Sequence, residues 1–170
     1  MMLRGWRERW RRARQASAAE NLQAWLDTAG TLLAACQDPL RSRSLPPDIG
    51  VPLDRIDRLL MRFRSEAAVV RSPLRPRPEL AARVRLVTDG LFELRNQTCG
   101  FLLRWQTAHQ LEQRNTLSID AQRNMEEARL LASRGARRLS DEWTQLAPEL
   151  EALIGEWRLA VRQGPPPPAE

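Results

Sequence analysis

From Glu79 to Asn115 the apolar positions are Leu80, Val84, Val87, Leu91, Leu94, Thr98, Phe101, Trp105 and Ala108, in alternating steps of four and three. That spacing puts them on one stripe of an α-helix. At 1.5 Å per residue the helix is about 55 Å long. A stripe of that length is hidden only by partner helices of similar reach. The remainder of the chain is therefore expected to be helical and laid alongside it.

The rest of the sequence fits this demand. Leu22, Trp25, Leu26, Ala29, Leu32, Leu33 and Cys36 repeat the helical spacing, as do Leu53, Ile56, Leu60, Phe63, Ala67 and Val70. After the long helix, Asn115-Thr116-Leu117 is short enough to force an antiparallel return. Ser118 is placed to cap the returning helix, and Asp120 suits its first turn. Met125, Ala128, Ala132, Gly135, Leu139, Trp143, Leu146, Leu150, Leu153, Trp157 and Ala160 form its stripe, with a repeated step of four at Trp143. Pro148 removes a ladder donor, so a kink or break is expected there, with a last helix from Pro148 to Arg162. Gly164 would end it, and Pro165 to Pro168 read as an extended tail.

Prolines mark two connections. Asp38 to Pro52 carries Pro39, Pro46, Pro47 and Pro52 and reads as a loop. Ser72 to Pro78 reads as an extended connector, with Pro78 in the first turn of the long helix. The PxxP pattern from Pro73 to Pro76 could be read by a polyproline-binding domain. Its information content is low, and a stiff spacer is the favoured reading.

The expected fold is thus all-α: an elongated antiparallel bundle of four to five helices with a long central α-hairpin. Residues 1–16 form a basic amphipathic arm, 17–162 the bundle and 163–170 a Pro-rich tail. Ser17-Ala18-Ala19-Glu20 fits a capping box and would restart a helix after the arm. A continuous helix is the equal alternative, because nothing in this Ala-rich junction breaks one.

Charge is concentrated at the start. Arg4, Arg7, Arg9, Arg11, Arg12 and Arg14 against Glu8 give residues 1–15 a net +5, most of the +6 of the whole chain. Leu3, Trp6, Trp10 and Ala13 share the opposite face. This is the composition of helices that lie on anionic bilayers, and it also suits acidic proteins or phosphates. The competing reading docks the arm on its own bundle, with the tryptophans as core and the acidic stretch from Ser140 to Trp157 as countercharge. Arg4, Trp6, Arg7, Trp10, Arg11, Arg12 and Arg14 are the candidate interaction surface. Every basic residue is Arg, a usage typical of a GC-rich genome, which weakens Arg as a sign of phosphate recognition.

Chemistry has little foothold. His109 is the sole histidine, and Gly-rich phosphate loops, nucleophile elbows and paired Cys or His ligands are absent from the sequence. His109 with Glu112, and Asp120, Glu126 or Glu127 on the return helix, resembles half of a bundle metal site without its second histidine. No catalytic residue, cofactor or metal is expected. Asn96, Gln97, Thr98, Cys99 and Gly100 could line a ligand cavity, although close helix packing is preferred. Phe92, Cys99 and Leu103 form a second apolar row. Cys36 and Cys99 belong to no CxxC pair and read as buried free thiols, with one disulfide between them left open.

No apolar run approaches the eighteen residues of a membrane span. The uncharged stretch from Thr28 to Gln37 is too short and too late for a signal peptide. The expectation is a cytoplasmic, non-enzymatic interaction or adaptor protein that self-associates, with a protein partner or a second copy. The alternative is a peripheral binder of anionic membrane, or less readily of nucleic acid, through the N-terminal segment.

Overall fold

The computed structural model describes residues 2–42, 45–46 and 48–163, and the side chains of residues 2–5, 7 and 8 lie outside the described set. Among the described residues the chain forms four α-helices and no strand: α1 (Met2–Arg41), α2 (Gly50–Val70), α3 (Pro78–Gln113) and α4 (Ile119–Gln163). The expected end at Gly164 and the tail from Pro165 lie outside the described residues.

The stripe of α3 is buried from Val84 through Val87, Leu91, Leu94, Thr98 and Phe101 to Ala108, with Leu80 and Trp105 half-buried at its ends. Thr88, Cys99 and Leu102 are buried as well, so the helix is covered on a second side. That second row differs from the expected one. Leu103 is 54% exposed, and Leu102 takes the buried place.

α1 packs against all three other helices. Its buried face begins at Ala19 and continues through Leu22, Trp25, Ala29, Leu32 and Cys36 to Leu40. A chain of aromatic rings runs from it across the bundle. Trp143 of α4 packs on Trp25 of α1, Trp25 on Phe63 of α2, and Phe63 on Phe92 of α3, with centroids 5.7 to 6.0 Å apart. Tilted and edge-on pairs at this separation are the favoured geometries of aromatic rings. All four helices thus meet at one level. α2 lies along α1, touches α3 only sparsely and makes no contact with α4.

Polar contacts set the register of the helices. Thr98 donates to the Cys36 carbonyl at 3.4 Å rather than back to its own helix. Gln37 donates to Ser140 Oγ at 3.1 Å, and Arg129 reaches the Leu40 carbonyl at 3.3 Å, satisfying an orphan acceptor at the end of α1. Arg83 of α3 sits between Glu142 and Glu149 of α4, 2.6 Å from each. Two carboxylates seven residues apart share a helix face, so one guanidinium spans them.

The turn from α3 to α4 is a Schellman closure. Asn115 adopts φ +55°, and the amides of Asn115 and Thr116 donate to the carbonyls of Glu112 and Leu111. Ser118 caps α4 as expected, accepting from the Ala121 amide at 3.2 Å.

One helix boundary is left open by the sequence, and three expectations about boundaries are corrected. α1 passes through Ser17 without restarting, so of the two open readings the continuous helix is the one found. It also takes in Asp38 and Pro39, and α2 begins at Gly50 and takes in Pro52, so both ends of the expected loop are helical. Pro148 lies inside an unbroken α4. The carbonyl it orphans belongs to Thr144, and both residues are exposed, so water can satisfy that acceptor while Leu146, Leu150, Leu153 and Ile154 hold the helix from the buried side. The Ser72–Pro78 segment is not extended. It folds into turns closed by Arg75 N to Ser72 O and Arg77 N to Leu74 O, and Leu74 is fully buried. The PxxP motif is therefore not presented as a polyproline helix.

Candidate interaction surface

The predicted surface residues all lie on the first part of α1, ahead of Ala19, the first buried position of that helix among the described residues. Continuity with the bundle helix gives the segment its conformation: residues 2–14 extend a helix already nucleated and packed further along, so no separate nucleation is required. The thirteen residues from Met2 to Arg14 amount to a rod about 20 Å long.

Trp6 is 60% exposed and Trp10 53%. Arg9, Arg11 and Arg14 are exposed and Arg12 is half-buried. The Arg14 guanidinium lies over the Trp10 ring, 4.6 Å from its centroid, a cation–π contact across one helical turn. Ala13, on the same face, is exposed too. The side chains of Leu3, Arg4, Arg7 and Glu8 lie outside the described set.

Three carboxylates of the acidic stretch of α4 pair with arginines of α3 and of the turn before it. Glu142 and Glu149 are taken by Arg83, and Glu156 by Arg77 at 2.9 Å. Trp143 and Trp157, by contrast, pack against the core as their stripe positions implied.

His109 stacks flat on Trp105, with centroids 5.2 Å apart and an interplanar angle of 7°. Its Nδ1 is 3.9 Å from Glu112, and its Nε2 is 3.0 Å from the Gln113 amide. Among the described residues no group of three or more His, Cys, Asp or Glu side chains could hold a metal ion. Cys36 and Cys99 are free and buried. Burial pushes the Cys36 thiol up to about 12, helped by neighbouring Cys99, and burial likewise raises Cys99.

Two open grooves flank the bundle. One runs between α3 and α4, with a cavity of about 420 Å³ walled by Asn96, Gln97, Gly100 and Arg104 against Asn124, Glu127, Ala128 and Leu131. Three of the five polar and small residues singled out from Asn96 to Gly100 do line a cavity, while Thr98 faces the core. Leu131 is 56% exposed, and Leu103 is one turn beyond Gly100 on α3. The second groove, also about 420 Å³, lies where α2, the turn after it and the start of α3 diverge. The sequence reading missed it. The available signals were the adjacent small residues Ala81 and Ala82 and the basic pair Arg71 and Arg75 around the turn.

No helix among the described residues is long and apolar enough to cross a membrane. In comparisons with known proteins, no family model, curated protein or solved structure matched the chain.

Proposed function

We propose that the chain is a non-enzymatic interaction protein that works through helix surfaces, with the N-terminal part of α1 as its foremost recognition element. The observation that carries this reading is the exposure of Trp6 and Trp10 upstream of Ala19, the first core residue of the helix among the described residues. Large aromatics on a surface face are the side chains that most often anchor interfaces. A partner with a shallow apolar groove and an acidic rim matches this face and the arginines beside it.

Self-association belongs to the same reading. The groove between α3 and α4 has small residues, Gly100 and Ala128, in its walls and Leu131 exposed beside them, the pattern of a surface that admits another helix closely. In this arrangement α3 and α4 act as the long hairpin of the bundle, with its outer face offered to a second copy.

A second reading is favoured by the pairing of aromatic and cationic groups on the arm: peripheral attachment to an anionic membrane, with Trp6 and Trp10 at the headgroup level and the arginines on phosphates. Nucleic acid would meet the same charge but gives the tryptophans less to do.

The readings separate in two measurements on the full chain and on a Trp6→Ser, Trp10→Ser variant. Light scattering across a concentration series should show a dimer or larger assembly. Flotation with phosphatidylserine vesicles and retention on duplex DNA, each across a salt series, report the arm. Assembly without flotation supports protein recognition; salt-sensitive flotation lost in the double variant supports membrane attachment. A monomer that binds neither vesicle nor DNA refutes both.

A further inference from the structure

The groove at the junction of α2 and α3 combines an apolar floor with a cationic rim. Val70, Leu74 and Val84 form the floor and are almost wholly buried. Arg71, Arg75 and Arg85 stand around it, and no Asp or Glu is among the lining residues. Arg85 is 3.7 Å from Asp89 in an exposed pair, which water screens and an incoming anion can displace. Thr88, also in the lining, spends its hydroxyl on the Val84 carbonyl at 2.7 Å.

We propose that this groove binds a single-chain anionic amphiphile, the alkyl chain lying along the accessible Pro78, Ala81 and Ala82 above the buried floor and the carboxylate or phosphate head meeting Arg71, Arg75 and Arg85. Charge complementarity selects this occupant. The exposed arm of a second copy offers two tryptophans but brings the same sign of charge as the rim, so it is repelled. A neutral amphiphile covers the floor and leaves the three guanidinium groups unanswered. The size also fits: small-ligand sites run from about 300 to 1,000 Å³ and are largely apolar with a few placed polar groups.

The sequence explains why the groove exists. Pro73, Pro76 and Pro78 hold the turn between α2 and α3, and Leu74 is drawn inward to become floor. Ala81 and Ala82 leave the α3 wall low. Because α2 and α3 touch only sparsely, the space between them is not closed by packing. This site is independent of the arm and of any surface for self-association.

Isothermal titration of the full chain tests it, with tetradecanoate, tetradecyl phosphate, tetradecanol and tetradecyltrimethylammonium, each below its micellar concentration. Both anions should bind at one site per chain, and the alcohol and the cation at least tenfold more weakly. Whichever anion binds tighter identifies a fatty acid or a phospholipid-type head as the source. Shortening tetradecanoate to dodecanoate should weaken binding by about fourfold for each methylene removed. The triple variant Arg71→Gln, Arg75→Gln, Arg85→Gln should erase the preference for anions, and Ala82→Phe, an exposed wall position, should block binding while preserving helicity and melting. Removal of Met1 to Gln15 should leave the titration unchanged. Equal binding of all four probes, or unaltered anion binding in Ala82→Phe, would overturn the proposal.

Discussion

Gly30 of α1 faces the indole of Trp143 so closely that a Cβ on the glycine would come within 3.2 Å of Cζ2. This contact lies beside the Trp143–Trp25 pair and fixes how near α1 and α4 can approach. Gly155, on the same helix as Trp143, meets nothing within 4 Å. The two glycines therefore give opposite expectations. Gly30→Val should destabilise the fold by about 1 to 3 kcal/mol, through overpacking. Gly155→Ala should stabilise it by up to about 1 kcal/mol, through helix propensity alone. Denaturant melts of the two variants check the pair, and equal effects would show that α1 and α4 are not tightly apposed at Gly30.

Trp25 is fully buried at the crossing of the aromatic chain, whereas Trp6 and Trp10 face solvent. Trp25→Ala should cost about 3 to 5 kcal/mol. Trp6→Ala and Trp10→Ala should each stay within about 0.5 kcal/mol, as surface changes do. Acrylamide quenching of fluorescence gives an independent check, because the emission lost in the Trp6 and Trp10 variants should be the readily quenched part.

The Cys36 thiol, raised by burial to about 12, ties stability to alkaline pH. In the unfolded chain an ordinary thiol ionises near 9, while in the folded chain it stays protonated. Its contribution is therefore complete below about pH 9 and is lost as pH rises from 9 through 12, at up to about 1.4 kcal/mol per pH unit. Cys36→Ser should flatten that decline between pH 9 and pH 11, measured by urea melts. The native thiols should also resist alkylation until the protein is unfolded, and rapid labelling of the folded chain at pH 8 would contradict their burial.

Arg83 bridges Glu142 and Glu149 at the surface between α3 and α4. Its bonds to the two carboxylates hold the guanidinium charged. Because the groups are partly exposed, Arg83→Gln should cost only about 1 kcal/mol or less, and the loss should shrink as salt is raised to 1 M. A larger, salt-independent loss would mean that the methylene stem, not the charge, supports the interface.

The parts of the fold legible in the sequence are those where one helix face is buried by many partners at once. The α3 stripe from Val84 to Ala108 and the α4 stripe from Ala132 to Leu153 are of this kind. Periodicity could not show that α1 would be the helix in contact with all the others, since a stripe marks a face as buried without saying how many neighbours cover it. Proline was misread in all three places where it was taken to end a helix or extend the chain. α1 takes in Pro39 and α2 takes in Pro52, α4 continues through Pro148 beside an exposed Thr144, and at Leu74 burial overrides the extended preference of the neighbouring prolines. Spacing marks Trp143 as a core aromatic and leaves Trp10 open between a docked and an exposed face; Trp143 packs on Trp25, and Trp10 is 53% exposed.

Whether the N-terminal part of α1 is surface rather than core is tested most directly by removing Met1 to Gln15. The shortened chain begins just ahead of Ser17 and Glu20, which then fit the capping box that the continuous helix leaves unused. Calorimetry should find its melting temperature within about 4 °C of the full chain, the equivalent of about 1 kcal/mol for a chain of this length. A fall of more than about 10 °C would mean that Trp6 and Trp10 hold the bundle together, and the recognition role assigned to them would be wrong.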